Sequence, residues 1–160
     1  MKTHLRQAAL AALCLLSSAT AMAGAQVTFV HPDRFSDLPF AASDRERVLK
    51  DLQQHFDKLA ATLPAGQQLA VEVTDIDLAG QVRMTRLRGQ DIRIMDGRAD
   101  WPHMTLRYTI TQGGQVIKTG QDRLSDMDYQ HHLIRYSSSD TLRYEKNMLD
   151  QWFHELTGTR

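Results

Sequence analysis

Met104–Leu124, MTLRYTITQGGQVIKTGQDRL, decides the fold. Met104, Leu106, Tyr108 and Ile110 alternate with Thr105, Arg107, Thr109 and Thr111. A period of two puts the first set on one face of an extended strand and the second on the other, the pattern of a half-buried strand. Gly113-Gly114 then supplies a turn, and a second strand follows around Val116 to Leu124. A hairpin with one wet face needs a second layer over its dry face, and the flanking sequence offers helices for it.

Upstream, Ser43 followed by Glu46 has capping-box spacing and predicts a helix start. Val48, Leu49, Leu52, Phe56, Leu59 and Leu63 recur at three- and four-residue steps, so one apolar stripe runs to Leu63, where Pro64 and Gly66 stop it. Val27 to Val30 reads as a short strand ending at His31-Pro32, and residues 31–43 as a loop pinned by Phe35, Leu38 and Phe40. Leu69 to Leu78 is a strand that changes phase: Leu69, Val71 and Val73 share one face, Ile76 and Leu78 the other. A bulge near Thr74-Asp75, or a strand end buried on both faces, reconciles the two. The Arg-rich stretch 80–100 holds a short strand at Asp91 to Met95 and a turn at Asp96-Gly97. After the polar connection Ser125–Ser139, Leu142, Met148, Leu149, Trp152, Phe153 and Leu156 build a closing helix, with Ser139 or Asp140 as cap and Gly158 beyond its end. The expected fold is two-layer α+β: a mixed, mostly antiparallel sheet of about 4–5 strands with the two main helices on one face, the first β-α-β passage permitting a parallel pair.

The N-terminus carries an address. Lys2 and Arg6 precede an apolar run from Ala8 to Leu16, and Ala21-Met22-Ala23 has the small-x-small form of a cleavage site. The run is shorter than the roughly 20 residues that span a bilayer, so residues 1–23 read as a cleavable signal peptide rather than a transmembrane anchor. The remaining 137 of 160 residues, 24–160, are expected to form one globular α+β domain working in the periplasm or outside the cell. Lys2 and Arg6 leave with the signal, so 19 basic residues fall to 17 against 19 acidic ones, a formal net of −2. That balance argues against a nucleic-acid partner. The single cysteine, Cys14, lies within the signal, so the mature chain is expected to be cysteine-free, without disulfides, thiolate catalysis or Cys-ligated zinc. Leu13 precedes it where a lipoprotein signal has a small residue, so no lipid tether is expected.

Five segments occur in a telling order: VTFVHPDRFSDLP, VEVTDIDLAG, ADWPHMTLRY, LSDMDY and YEKNMLDQWF. Together they resemble a family of small exported bacterial proteins, the domain-of-unknown-function family numbered 3016. The resemblance spans nearly all of the mature chain and implies a secreted single domain. It transfers no catalytic residue, because no activity is assigned to the family.

Candidate chemistry concentrates in acids. Asp75 and Asp77 sit at i and i+2, so in a strand both carboxylates leave one face about 7 Å apart. They are candidates to hold a cation or to divide acid and base roles, or else they satisfy loop amides at a strand end. Asp126 and Asp128, with Ser125 and Tyr129, open the long connection and are either ligand-binding or turn-forming. Both Asp pairs are expected to border one cleft. His103 follows Trp101-Pro102 at a strand start and either binds or simply caps the strand, while Trp101 and Trp152, with Tyr108 and Tyr144, line a pocket or fill the core. No metal site is expected: His131 and His132 are adjacent and diverge, and His55 and His154 fall on separate helices. Arg83, Arg86, Arg88, Arg93 and Arg98 grip phosphate or carboxylate, or form a solvated hairpin face. No G-x-S-x-G elbow, Walker loop or dinucleotide fingerprint occurs, and no cofactor is expected.

These features lead to the expectation of a non-enzymatic binding or accessory module for an envelope protein or cell-wall component, with candidate ligand-binding residues Asp75, Asp77, Asp126, Asp128, Tyr129, Trp101 and His103. The alternatives are a carboxylate-based hydrolase of envelope sugars and a small-ligand or cation binder. Terminal sequencing of the protein recovered from the periplasm should begin at Gly24; a chain that still begins at Met1 refutes the signal reading.

Overall fold

The computed structural model describes residues 24–84, 91–95 and 100–158. The chain runs β1 (Ala25–Phe29), a 3-10 turn (Pro32–Arg34), α1 (Ala42–Ala60), β2 (Gln67–Asp77), β3 (Gln81–Met84), β4 (Asp91–Ile94), β5 (His103–Gln112), β6 (Gln115–Ser125) and α2 (Arg143–Thr157). Residues 1–23, the turn expected at Asp96-Gly97, and Arg86, Arg88 and Arg98 lie outside the described residues.

Gly113 and Gly114 both take positive φ, 59° and 81°, as a tight two-residue hairpin turn requires. They join β5 to β6 with Gln112 opposite Gln115, and β5 carries the alternation onto β2. The register between β2 and β5 shifts between Val73 and Asp75, so the phase change in the sequence is a bulge. Leu69, Val71, Val73 and Ile76 are thereby all buried, opposite Ile110, Tyr108, Leu106 and Met104. The four-stranded sheet has the order β1-β2-β5-β6 and is mixed rather than mostly antiparallel, since β1 runs parallel to β2 after the α1 crossover. Strands β3 and β4 form a separate two-stranded sheet.

Both helices cover one face of the larger sheet. Leu52 and Phe56 of α1 and Leu149, Trp152, Phe153 and Leu156 of α2 join the apolar rows of β2 and β5 in one core. Each such side chain contributes about 1.5–3 kcal/mol on burial. Trp152 takes Phe56 and Tyr108 edge-on, at centroid distances of 6.4 and 5.7 Å. Its indole N–H is satisfied by Asp122 Oδ2 at 2.9 Å. The other face of the sheet stays polar, with Gln68, Glu72 and Arg107 exposed and Arg107 donating to Glu72 at 3.0 Å. Gly120 is fixed by close approach, because a Cβ there would stand 2.5 Å from the Tyr108 hydroxyl.

The helix ends correct two expectations. The Ser43–Glu46 capping box does not form: the chain becomes helical two residues sooner, Ala41 rather than Ser43 is the extended N-cap, and no side chain caps it. Asp44 in the first turn instead faces the positive end of the helix. The helix also stops at Ala60, short of Leu63, whose N–H bonds back to Ala60 in a tighter turn before Pro64. At α2, Asp140 holds the approach, its Oδ1 accepting the Leu142 N–H at 2.9 Å and its Oδ2 the Lys146 ammonium at 2.8 Å. These bonds hold the Asp140 carboxyl below its usual range against the opposing effect of burial. Gly158 closes α2 in the left-handed conformation, as expected.

The small β3–β4 sheet is attached by charge. Glu145 of α2 is fully buried; its Oε1 accepts the Ala79 N–H at 3.1 Å and Arg93 Nη2 at 2.5 Å, and its Oε2 takes Arg93 Nη1 at 3.3 Å. The same guanidinium donates to the Thr141 carbonyl at 2.7 Å. Arg93 therefore points inward rather than joining a solvated face. Beside it Ala79, Tyr129 and Tyr144 form a second small cluster with Met95, Trp101 and Ile134 packed against it. Glu145→Ala should cost about 3–5 kcal/mol, because it leaves a guanidinium uncompensated in a dry contact. Urea unfolding measures this; a loss below about 1 kcal/mol would show that solvent screens the pair.

Candidate functional site

One end of the larger sheet collects most of the candidate residues. The bulge in β2 brings Asp75 opposite Thr105 and Asp77 opposite His103, and His103 is opposite Ser125 of β6. On the other side of Asp77, Asp37 makes an isolated parallel bridge to it, with the Asp37 N–H bonded to the Ile76 carbonyl at 3.0 Å. Asp37, Asp77, His103 and Ser125 thus stand in one row across the sheet. Directly opposed residues project from the same face. Trp101 lies beside the row, its ring 5.5 Å from His103 and its indole N–H donated to Ser125 Oγ at 2.9 Å.

The carboxyls at this sheet end have unlike surroundings. Asp75 accepts the Ser36 N–H and the Ser36 hydroxyl, each at 2.8 Å, and so ties down the loop before α1. The one cationic partner of Asp77 among the described residues is His103, with Oδ2 3.7 Å from Nδ1, too far for a hydrogen bond. Burial pushes the Asp77 carboxyl above the usual range; the His103 charge opposes this, while Asp75 and Asp100 add to it. Asp37 is also raised, first by burial and then by Asp77, with Arg93 opposing and Asp100 and Glu145 adding. Neither Asp37 nor Asp77 accepts a side-chain hydrogen bond among the described residues.

The second Asp pair does not face the row as one unit. Asp126 follows Ser125, its N–H bonded to the Pro102 carbonyl at 3.2 Å, and it is buried. Its Oδ1 meets His132 Nε2 at 3.0 Å. Asp128 is exposed and meets His131 Nδ1 at 2.7 Å. The adjacent histidines do diverge, each to a different aspartate, so these carboxylates engage imidazoles rather than the backbone amides of an Asx turn. Tyr129 is buried edge-on against Tyr144 at 4.7 Å. Among the described residues no three His, Asp or Glu side chains are arranged to hold a metal ion.

Two further groupings bear on function. Between the helices, buried His55 of α1 has Nε2 2.9 Å from Asp150 Oδ1 of α2, outside hydrogen-bond geometry, and Asp150 Oδ2 accepts the Tyr136 hydroxyl at 2.6 Å. Burial and that bond hold the Tyr136 proton well above the usual phenol range. This knot fastens the long connection to the helix layer. At the β6 margin, Tyr108 and Trp152 do border a depression of about 230 Å³, together with Lys118, Asp122, Glu155 and Leu156.

Sequence reasoning missed Asp37 and Asp100. Asp37 lies in a loop with no periodicity, and only the parallel bridge makes it the neighbour of Asp77.

The fold and this sheet end define a compact α+β class: a mixed four-stranded sheet, two helices on one face, and a small sheet pinned by a buried ion pair. A family model described as protein of unknown function (DUF3016) matches residues 23–155, and the chain belongs to that family. No curated protein and no solved structure matches it.

The raised carboxyls make a pH prediction. The folded protein keeps Asp37 and Asp77 protonated to higher pH than the unfolded chain, whose aspartates titrate near 3.8. It therefore binds more protons from that value up to the raised ones, and stability falls as pH rises through the interval. Asp37→Asn should raise the thermal midpoint at neutral pH and leave it nearly unchanged well below pH 3.8, where the carboxyl is neutral in the folded and unfolded states alike. An equal shift at both pH values would assign the effect to packing instead.

Proposed function

We propose that this protein is an exported, non-enzymatic binding or accessory module that recognises an envelope component through the Asp37–Asp77–His103 row and Trp101. The observation that carries this reading is the Asp37·Asp77 pair: two half-buried carboxyls, side by side, without hydrogen-bond donors among the described residues. Such a pair is unfavourable alone and favourable once a donor or cation satisfies it. Trp101 adds a flat apolar surface with a fixed indole, a common anchor at binding surfaces. The best-suited partner chemistry is an amine or guanidinium on a protein or cell-wall component. Export rests on the charged, apolar and small-residue pattern of residues 1–23. Among the described residues no helix is long and apolar enough to cross a membrane.

The hydrolase reading has less behind it. It needs an acid and a base across a cleft, and three of its four carboxylates are engaged: Asp75 by Ser36, Asp126 by His132 and Asp128 by His131.

In-cell crosslinking followed by affinity purification tests the binding reading. The wild type should enrich one envelope partner, and Asp37→Asn/Asp77→Asn should lose it. Asp126→Asn/Asp128→Asn, run alongside, should retain it if the row alone makes the contact. Equal recovery by the wild type and the Asp37→Asn/Asp77→Asn variant would remove the row from consideration.

A further inference from the structure

Strand β6 is one margin of the larger sheet and β1 is the other. Helix α1 closes the start of β1, where Asp57 Oδ1 accepts the Ala25 N–H and Gln53 Nε2 donates to the Ala25 carbonyl. Along β6, among the described residues, no hydrogen bond from outside the sheet reaches the backbone.

Two hydroxyls reveal which of its backbone groups face outward. Thr74 Oγ1 donates to the Thr105 carbonyl from the β2 side, and Thr119 Oγ1 donates to the Tyr108 carbonyl from the β6 side. In an antiparallel strand the N–H and C=O of one residue point the same way, and the direction alternates along the chain. Leu106 and Tyr108 therefore address β6, and their partners Asp122 and Gly120 address β5. Thr119, Gln121 and Arg123 direct their backbone groups out of the sheet.

We propose that this margin pairs with a second copy of the chain, the two β6 strands running antiparallel about a two-fold axis at Gly120. In this register the strand is complementary in charge to itself. With Gly120 facing Gly120, Lys118 faces Asp122 on both sides of the axis, and Thr119 faces Gln121. Thr119 and Gln121 are residues whose backbone groups point outward, so this register also supplies the hydrogen bonds. Glycine at the axis leaves room where the copies approach most closely. Lys118 and Asp122 sit on the helix-covered side, opposite Ile110 and Leu106. Lys118 Nζ spends one hydrogen on the Leu156 carbonyl at 2.5 Å, and Asp122 uses Oδ2 for Trp152. Among the described residues, two ammonium hydrogens and Asp122 Oδ1 remain for the other copy. The same residues border the depression of about 230 Å³, so the approaching strand meets a recess rather than a filled wall. Charges on an edge strand ordinarily deter pairing with another edge. Here a two-fold axis matches them in sign, and an isologous contact needs only one self-complementary patch. The product is an eight-stranded sheet with all helices on one side.

Sedimentation velocity of the purified protein over rising concentration tests this. The wild type should move from monomer to dimer. Gln121→Pro removes an outward N–H and spares the bonds to β5, so it should remain monomeric with an unchanged far-ultraviolet circular dichroism spectrum. Lys118→Glu sets like charges opposite each other twice and should weaken the dimer at least about tenfold at low salt, less at high salt. A wild type that stays monomeric throughout, or a dimer that survives either substitution, overturns the proposal. Should Gln121→Pro fail to fold, the Lys118→Glu result decides.

Discussion

The Glu145 carboxylate is the constraint on which the arrangement depends. It is fully buried in α2, yet it is shared by the Ala79 amide beyond the end of β2 and the Arg93 guanidinium of β4. A buried charge is tolerated only where its lone pairs are filled, so the position of α2 fixes where β2 must end and where the small sheet must lie. Arg93 also takes the Thr141 carbonyl, which sets the last turn before the helix. The apolar core alone would permit small slides of α2 over the sheet. A bidentate ion pair with a third amide donor does not.

That anchoring lets the sheet end carry a destabilising feature. Asp37 and Asp77 are held together by backbone pairing, not by any attraction between their side chains. Their mutual repulsion and partial burial are costs sustained by the surrounding core. The neighbouring acids behave differently: Asp75 organises a loop, while Asp126 and Asp128 engage histidines. The contrast between acids that accept hydrogen bonds and acids that, among the described residues, accept none separates the scaffold from the row proposed above as the contact surface.

Much of the fold was legible in the sequence because its signals are local. The Met104–Ile110 alternation, Gly113-Gly114 and the phase change at Thr74-Asp75 each involve a few adjacent residues, and each appears as a strand, a tight turn and a bulge. The capping box misled because Ser43 and Glu46 have the right spacing while the helix already begins at Ala42. The inward turn of Arg93 could not be read, since its partner lies 52 positions away and arginine is abundant throughout the chain. Asp37 was invisible for the same reason, being joined to Asp77 only by tertiary pairing. The common face of Asp75 and Asp77 could be anticipated from strand spacing, whereas their approach to His103 required the β2–β5 pairing, and the burial of Tyr129 against Tyr144 required the helix layer to be in place.

The chain holds two tryptophans, and the fold gives them unlike surroundings. Trp152 is 6% exposed, enclosed by Phe56, Tyr108 and Phe153 and hydrogen-bonded to Asp122. Trp101 is half-buried at the sheet end, beside an imidazole. Intrinsic fluorescence therefore contains two separable reports: a blue-shifted emission that follows the integrity of the core, and a component open to collisional quenchers and to whatever occupies the sheet end. A single change at Trp101 would leave an optical gauge of folding alone, and the difference spectrum would be a label-free gauge of occupancy.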